Sequence, residues 1–166
     1  MDLKQYIVDI KDFPKPGIIF KDISPLLNEK FHEVVKQMGA QVQWGHVDAV
    51  VGIESRGFIL GAGLAAHFNK GFIPVRKKGK LPPPVISHSY QLEYGSDTLE
   101  IKSDQRSKNV VIVDDVLATG GTLNATIQLC EKAKLNVVDV LVLIDLKFLN
   151  NLESRGLKIK SVLQYT

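Results

Sequence analysis

Four short runs of largely β-branched residues, Asp48 to Ile53, Phe72 to Arg76, Asn109 to Val113 and Val137 to Ile144, are apolar in succession rather than at every second position. A strand with one wet face alternates; continuous hydrophobicity marks strands covered on both faces, as in a parallel sheet layered between helices. Segments near 57–68 and 121–134 separate the runs and read as helices. Phe31, Val34, Val35, Met38 and Val42 recur at helical intervals, which predicts another helix over 31–44. The alternation predicts an α/β fold of three layers with a mostly parallel central sheet, its ligands gathering beyond the carboxyl ends of the strands.

Two segments stand outside this alternation. Lys77 to Ser107 contains Pro82-Pro83-Pro84 and two weakly strand-like stretches, Ser87 to Tyr94 and Thr98 to Ile101, with Gly95-Ser96-Asp97 between them reading as a turn. Connections of this length are often lids, so 77–107 is expected to be a long flexible hairpin. The first thirty residues also stand apart, since Phe13-Pro14-Lys15-Pro16-Gly17 is too rigid and turn-prone for a helix. Both belong to one domain, 1–166, the size that 166 residues favour.

Composition excludes several classes. Hydrophobic residues at 45% and charged residues at 23% do not fit a disordered chain. A net charge of +3 is too small to argue for wrapping nucleic acid, so any anion site is local. The uncharged stretches Gly57 to Asn69, thirteen residues, and Val116 to Cys130, fifteen, are both short of the roughly 20 that span a bilayer. Charges every few residues near the amino terminus do not suit a secretory signal, and the expected compartment is the cytoplasm. Cys130 is the only cysteine, which precludes an intrachain disulfide or a multi-cysteine zinc site, and it falls on the apolar side of a predicted helix. His32, His46, His67 and His88 lack metal-ligand spacing, and Gly61 to Ala66 imitates a dinucleotide fingerprint inside a helical run, where small residues serve close packing.

The chemistry concentrates in Val110 to Leu123. A buried strand delivers Asp114 and Asp115 to its carboxyl end; Val116, Leu117, Ala118, Thr119, Gly120, Gly121 and Thr122 then run into an amphipathic helix carrying Leu123, Ile127 and Cys130. Two glycines let backbone amides crowd around one anion, two threonines add hydroxyl donors, and the helix amino terminus adds the positive end of its dipole. That combination is a phosphate cradle. Adjacent carboxylates beside a phosphate make sense if they bind vicinal sugar hydroxyls or a bridging cation, and a ribose 5-phosphate satisfies both halves.

On this motif the chain resembles the phosphoribosyltransferases of the type I fold, whose signature is a hydrophobic strand, two acidic residues and a threonine–glycine loop. Four further stretches, Phe13 to Pro25, Gly52 to Phe58, Pro74 to Pro82 and Leu92 to Gly95, resemble the adenine-using branch. The resemblance implies transfer of a phosphoribosyl group from 5-phosphoribosyl 1-pyrophosphate to adenine, giving AMP and pyrophosphate, with Mg²⁺ as cofactor and Asp114 and Asp115 meeting it indirectly through substrate oxygens and water. It implies a homodimer as well; Tyr6, Ile7 and Ile10, with the apolar stretch Ile159 to Leu163, read either as core or as surface covered by a partner subunit.

By the same resemblance, the loop of Glu54, Ser55 and Arg56 wraps the pyrophosphate with its amides, often through a non-proline cis peptide. Arg76, Lys77 and Lys80 supply further cations. Glu93 is the catalytic carboxylate that manages the adenine proton, Tyr94 seals the closed hairpin, and Glu100 is the competing carboxylate. Residues 1–30 form a small base-binding hood, in which Phe20 stacks on the base and the backbone of Ile19 and Lys21 reads its polar edge, and Val116 covers the opposite face. Lys21 stands where relatives commonly have arginine, an exchange that matters only if the side chain takes part. Two alternatives remain: a phosphoribosyltransferase for another purine base, and a non-catalytic sensor of 5-phosphoribosyl 1-pyrophosphate.

Overall fold

The computed structural model describes residues 1–92, 95–103, 106, 108–150, 152 and 158–166. Among these, β3 (Ala49–Ile53), β4 (Gly71–Lys77), β7 (Asn109–Leu117), β8 (Asn136–Leu146) and β9 (Ile159–Tyr165) lie parallel in the order β4-β3-β7-β8-β9. An antiparallel hairpin, β5 (Val85–Leu92) and β6 (Gly95–Lys102), joins the β4 edge through β6. A separate antiparallel pair, β1 (Val8–Lys11) and β2 (Ile19–Asp22), forms the hood.

The continuous apolar runs are explained by two cores, one on each face of the sheet. Val111 and Val113 of β7 join Leu26, Val34, Val35 and Met38 of α1 (Ser24–Gly39) and Leu60 and Leu64 of α2 (Arg56–His67) on one face. Val110 and Ile112, one residue out of phase, meet Leu123, Ile127, Leu129 and Cys130 of α3 (Gly121–Lys132) on the other. Successive side chains of a strand point to opposite faces, so a strand with helices on both sides has no position left for a polar residue. Cys130 is fully buried, and burial pushes its thiol up to about 12, the behaviour of a core residue.

The first helix differs from the expected 31–44. It begins at Ser24, whose amide donates to Asp22 Oδ1 at 2.9 Å, and carries Pro25 in its first turn, where a missing N–H costs nothing. It ends at Gly39, against which the Phe68 ring packs and whose carbonyl accepts from the Trp44 indole at 2.9 Å; Val42 is buried beyond the helix. The hairpin turn is also displaced. The register pairs Leu92 with Gly95, Gln91 with Ser96 and Tyr90 with Asp97, so Gly95, Ser96 and Asp97 lie in β6 and not in the turn. Ile159 to Leu163 belongs to β9, and Tyr6 and Ile7 pack on the first core while Ile10 stays exposed. Among the described residues, no helix is long and apolar enough to cross a membrane.

Candidate active site

The carboxyl ends of β3, β4 and β7 converge on a cavity of about 420 Å³. Glu54, Ser55 and Arg56 reach it from the end of β3, Lys77 from β4, and Asp114, Asp115, Val116, Ala118, Thr119, Gly120 and Thr122 from β7 and its loop. The hairpin closes one side with Tyr90, Leu92, Asp97 and Leu99. The volume lies in the range of small-ligand clefts, and the location is the one that strand direction dictates for a parallel sheet.

Gly120 makes the turn into α3 with φ of 95°, a left-handed conformation that an L side chain resists. The first bond of the helix runs from the Asn124 amide to Gly120 O at 2.9 Å, so the amides of the preceding first turn have no intrahelical acceptor. They lie at the positive end of the helix dipole, beside the cavity lined by Thr119, Gly120 and Thr122.

The acidic pair is tightly placed. Asp114 Oδ1 accepts from the Asp115 amide at 2.8 Å, and Gly57, in the first turn of α2, sits so close that an added Cβ would stand 2.9 Å from that oxygen and 3.1 Å from Val113 O. Burial, and then the neighbouring charge of Asp115, hold the Asp114 carboxyl well above the usual carboxylate range. Asp115 Oδ2 lies 2.6 Å from Arg56 Nε, close enough to be an ion pair. Among the described residues, however, this buried oxygen receives no directed hydrogen bond. Two carboxylates with an oxygen lacking a directed donor fit a hard divalent cation that keeps most of its other ligands from water and substrate. No group of three or more potential ligands occurs among the described residues, so they build no closed metal cage.

Arg56 links this cradle to the hood. Its Nη1 donates to Lys21 O at 3.3 Å, and its guanidinium carbon lies 4.6 Å from the centroid of the Phe20 ring. Phe20 in turn meets Phe13 edge-on at 5.2 Å. The Lys21 side chain is engaged elsewhere: Nζ donates to Asp9 Oδ1 at 2.7 Å and lies 4.0 Å from the centroid of the Tyr165 ring. Its carbonyl is the part that meets Arg56. Ile19 pairs with Lys11 in the hood and remains 55% exposed, leaving its surface open to a base.

The Glu54–Ser55 peptide is cis. Glu54 Oε1 accepts from Arg76 Nε at 3.0 Å and from the Lys77 amide at 3.2 Å, fastening the end of β4 to the loop after β3. Lys77 Nζ donates to Asp97 Oδ2 at 2.9 Å; this bond raises the Lys77 pKa and lowers that of Asp97. Lys80 is exposed in the turn that follows, its amide donating to Lys77 O at 3.2 Å. Glu100 is committed to structure: its two oxygens accept from the Gly79 amide at 2.8 Å and the Ser87 hydroxyl at 2.7 Å, and these bonds lower its pKa.

Residues 24–165 match the model of the phosphoribosyl transferase domain family. The chain belongs to this family. It is 54% identical to the adenine phosphoribosyltransferase of Bdellovibrio bacteriovorus, over 99% of this chain and 100% of that protein. Its fold superimposes on the crystal structure of the adenine phosphoribosyltransferase of Rhodothermus marinus with a TM-score of 0.90 and 46% identity, covering 98% of this chain and 96% of that one. It is also similar to the APRTase of Giardia lamblia complexed with 9-deazaadenine, with a TM-score of 0.88 and 37% identity over 99% and 97% of the two chains.

Of the residues expected to form the phosphoribosyltransferase site, the cavity brings together Glu54, Ser55, Arg56, Lys77, Asp114, Asp115, Val116, Ala118, Thr119, Gly120 and Thr122. Ile19, Phe20, Lys21, Arg76, Lys80 and Gly121 lie outside its lining, the first three in or beside the hood that Arg56 touches. Glu93 and Tyr94 lie outside the described residues. Sequence reasoning missed Tyr90, whose hydroxyl is 3.1 Å from Thr122 Oγ1, and Asp97, the partner of Lys77. Alternation along β5 was the available signal for Tyr90, and the antiparallel register sets Asp97 opposite it.

Proposed function

We propose that the chain transfers the 5-phosphoribosyl group of 5-phosphoribosyl 1-pyrophosphate to adenine, forming AMP and pyrophosphate in purine salvage. The observation that carries this reading is the union, in one cavity, of a helix-start loop whose first-turn amides have no intrahelical acceptor and an acidic pair, joined by Arg56 to an aromatic hood. The identity to adenine phosphoribosyltransferases and the likeness to a structure holding 9-deazaadenine support adenine as the base.

In this reading the amides and hydroxyls of Ala118 to Thr122 hold the 5′-phosphate, and Asp114 and Asp115 orient the ribose hydroxyls. The amides of Ser55 and Arg56 hold the pyrophosphate, the Glu54 amide being taken instead by Val75 O at 3.0 Å, with Arg76, Lys77 and Lys80 adding positive potential. Phe20 and Val116 sandwich the base, while the backbone of Ile19 and Lys21 reads its polar edge; carbonyls accept from the exocyclic amine of adenine but repel the oxygen of hypoxanthine or guanine. N9 attacks C1′ as the bond from C1′ to the pyrophosphate oxygen breaks, and Glu93 takes up the base proton while Tyr94 seals the hairpin. Because positive charge develops at C1′ while an anion departs, the work of the protein is positioning and electrostatic stabilisation. Asp114 and Asp115 would hold Mg²⁺ through substrate oxygens and water, and the cation would supply charge neutralisation on the departing pyrophosphate. The active form in this reading is a homodimer in the cytoplasm, without a nucleic-acid or membrane partner.

The test is AMP formation from adenine and 5-phosphoribosyl 1-pyrophosphate with and without Mg²⁺, alongside hypoxanthine, guanine and xanthine. Magnesium-dependent turnover of adenine alone is the expected result; turnover of another base in preference, or binding without turnover, contradicts it.

A further inference from the structure

The phosphate loop has a support that lies behind it. Asn150 follows the 3₁₀ turn Lys147–Leu149 after β8, and the two N–H groups of its Nδ2, one of them shared, donate to Ala118 O at 3.0 Å, Asp145 Oδ1 at 3.0 Å and Leu146 O at 2.9 Å. Three oxygens around one atom fix the orientation of this amide, because the flipped group would set its own oxygen against all three. Asp145 is 2% exposed at the carboxyl end of β8, and its other oxygen, Oδ2, lies 3.1 Å from Lys147 Nζ. Leu152 packs on the same loop, 3.0 Å from where a Cβ on Gly120 would stand.

The geometry gives this support a direction. Ala118, Thr119 and Gly120 line the cavity, whereas Asp145, Asn150 and Leu152 do not, so Asn150 grips the loop from its far side. The Ala118–Thr119 peptide is trans. In a trans peptide the carbonyl of one residue and the N–H of the next point in opposite senses. Holding Ala118 O on the far side therefore turns the Thr119 N–H toward the cavity.

We propose that Asn150 is a positioning residue for the phosphate cradle: through Ala118 O it sets the Thr119 amide as a preformed donor to the 5′-phosphate of the phosphoribosyl substrate. The proposal rests on the functional reading above and adds to it a residue outside the cavity. Preorganisation removes the need to reorient a peptide on binding, so its loss is felt in affinity for the phosphorylated ribose and not in affinity for the base.

Steady-state kinetics on the full chain separate the possibilities. Asn150→Ala is expected to raise KM for 5-phosphoribosyl 1-pyrophosphate roughly tenfold, the size of one lost hydrogen bond to a charged group, and to weaken ribose 5-phosphate binding by a similar factor. KM for adenine and the affinity for inorganic pyrophosphate stay within about twofold, because neither uses the loop. Asn150→Ser keeps one donor and is expected to give an effect of about threefold; it decides the question where the alanine variant does not fold. Asp145→Asn keeps an oxygen for Asn150 and is expected to retain near wild-type KM. An unchanged KM for 5-phosphoribosyl 1-pyrophosphate in both Asn150 variants, an equal rise for both substrates, or an Asp145→Asn loss as large as that of Asn150→Ala overturns the proposal while leaving wild-type turnover intact. Absence of AMP formation by the wild-type protein would instead overturn the functional reading.

Discussion

Arg56 lies over the Phe20 ring, its guanidinium carbon 4.6 Å from the ring centroid, while Nε of the same arginine lies 2.6 Å from Asp115 Oδ2. One side chain thus couples the acidic pair to the hood. Arg56→Ala removes the counter-charge of a buried carboxylate. Because the Arg56 side chain is 31% exposed, the expected loss of stability is about 1–2 kcal/mol, below the fully buried case. The expected fall in kcat/KM is roughly a hundredfold or more, read by urea melts and steady-state kinetics on the same samples. Arg56→Lys restores charge but not the fork, and is expected to recover stability more than turnover.

Gly57 matters for what it lacks. A methyl group there would press on Asp114 Oδ1 at 2.9 Å and on Val113 O at 3.1 Å, one a carboxylate of the site and the other backbone, neither free to give way. Gly57→Ala is expected to cost about 1–3 kcal/mol of stability through overpacking and to raise KM for the phosphoribosyl donor. Gly45, where an added Cβ meets nothing within 4 Å, provides the control: Gly45→Ala is expected to leave both unchanged.

The elevated pKa of Asp114 carries a sign. Its folded value lies above its unfolded one, so the folded state holds the proton more tightly; the stability this gives is full below the ordinary carboxylate pKa and is lost as pH rises through the folded value. As pH rises above the ordinary carboxylate range, the free protein therefore carries a growing cost for a buried, repelled carboxylate. Asp114→Asn is expected to raise the Tm of the free protein at pH 8 by about 2–4 °C, with the gain vanishing below about pH 4, while abolishing most turnover. Calorimetry across that range checks it; a Tm gain independent of pH would contradict the assignment.

Lys21 contributes its carbonyl to Arg56 and its ammonium to Asp9 and the Tyr165 ring. Lys21→Arg is therefore expected to change KM for adenine by less than about twofold, since the side chain works away from the base and both cations can stack on tyrosine. Lys21→Ala is expected to loosen the hood and raise KM for adenine while leaving KM for the phosphoribosyl donor unchanged.

What was legible in the sequence was what depends on neighbours along the chain. The uninterrupted runs through Val50 and Val51 and through Val110 to Val113 announced strands with two buried faces, and Asp114 to Thr122 announced the cradle because strand, loop and helix start are contiguous. The helix start at Ser24 was written locally too, in Asp22, Ser24 and Pro25, but the kink at Lys30 interrupts the periodicity that would carry the helix back from Phe31. The contacts that remained hidden join distant segments: Tyr90 to Thr122, Lys77 to Asp97 and Asn150 to Ala118 are fixed by how strands and loops stack, and no spacing rule connects them. Glu100 shows the converse, a carboxylate whose sequence setting suggested chemistry and whose hydrogen bonds assign it to holding Gly79 and Ser87.

The central claim is that the amides at the start of α3 grip the terminal phosphate of a ribose. Backbone ¹⁵N–¹H spectra recorded during titration with ribose 5-phosphate test it most directly. The account predicts saturable downfield shifts of the Thr119, Gly120, Gly121 and Thr122 amides, abolished by unphosphorylated ribose. Saturable binding that leaves those four resonances in place would contradict it.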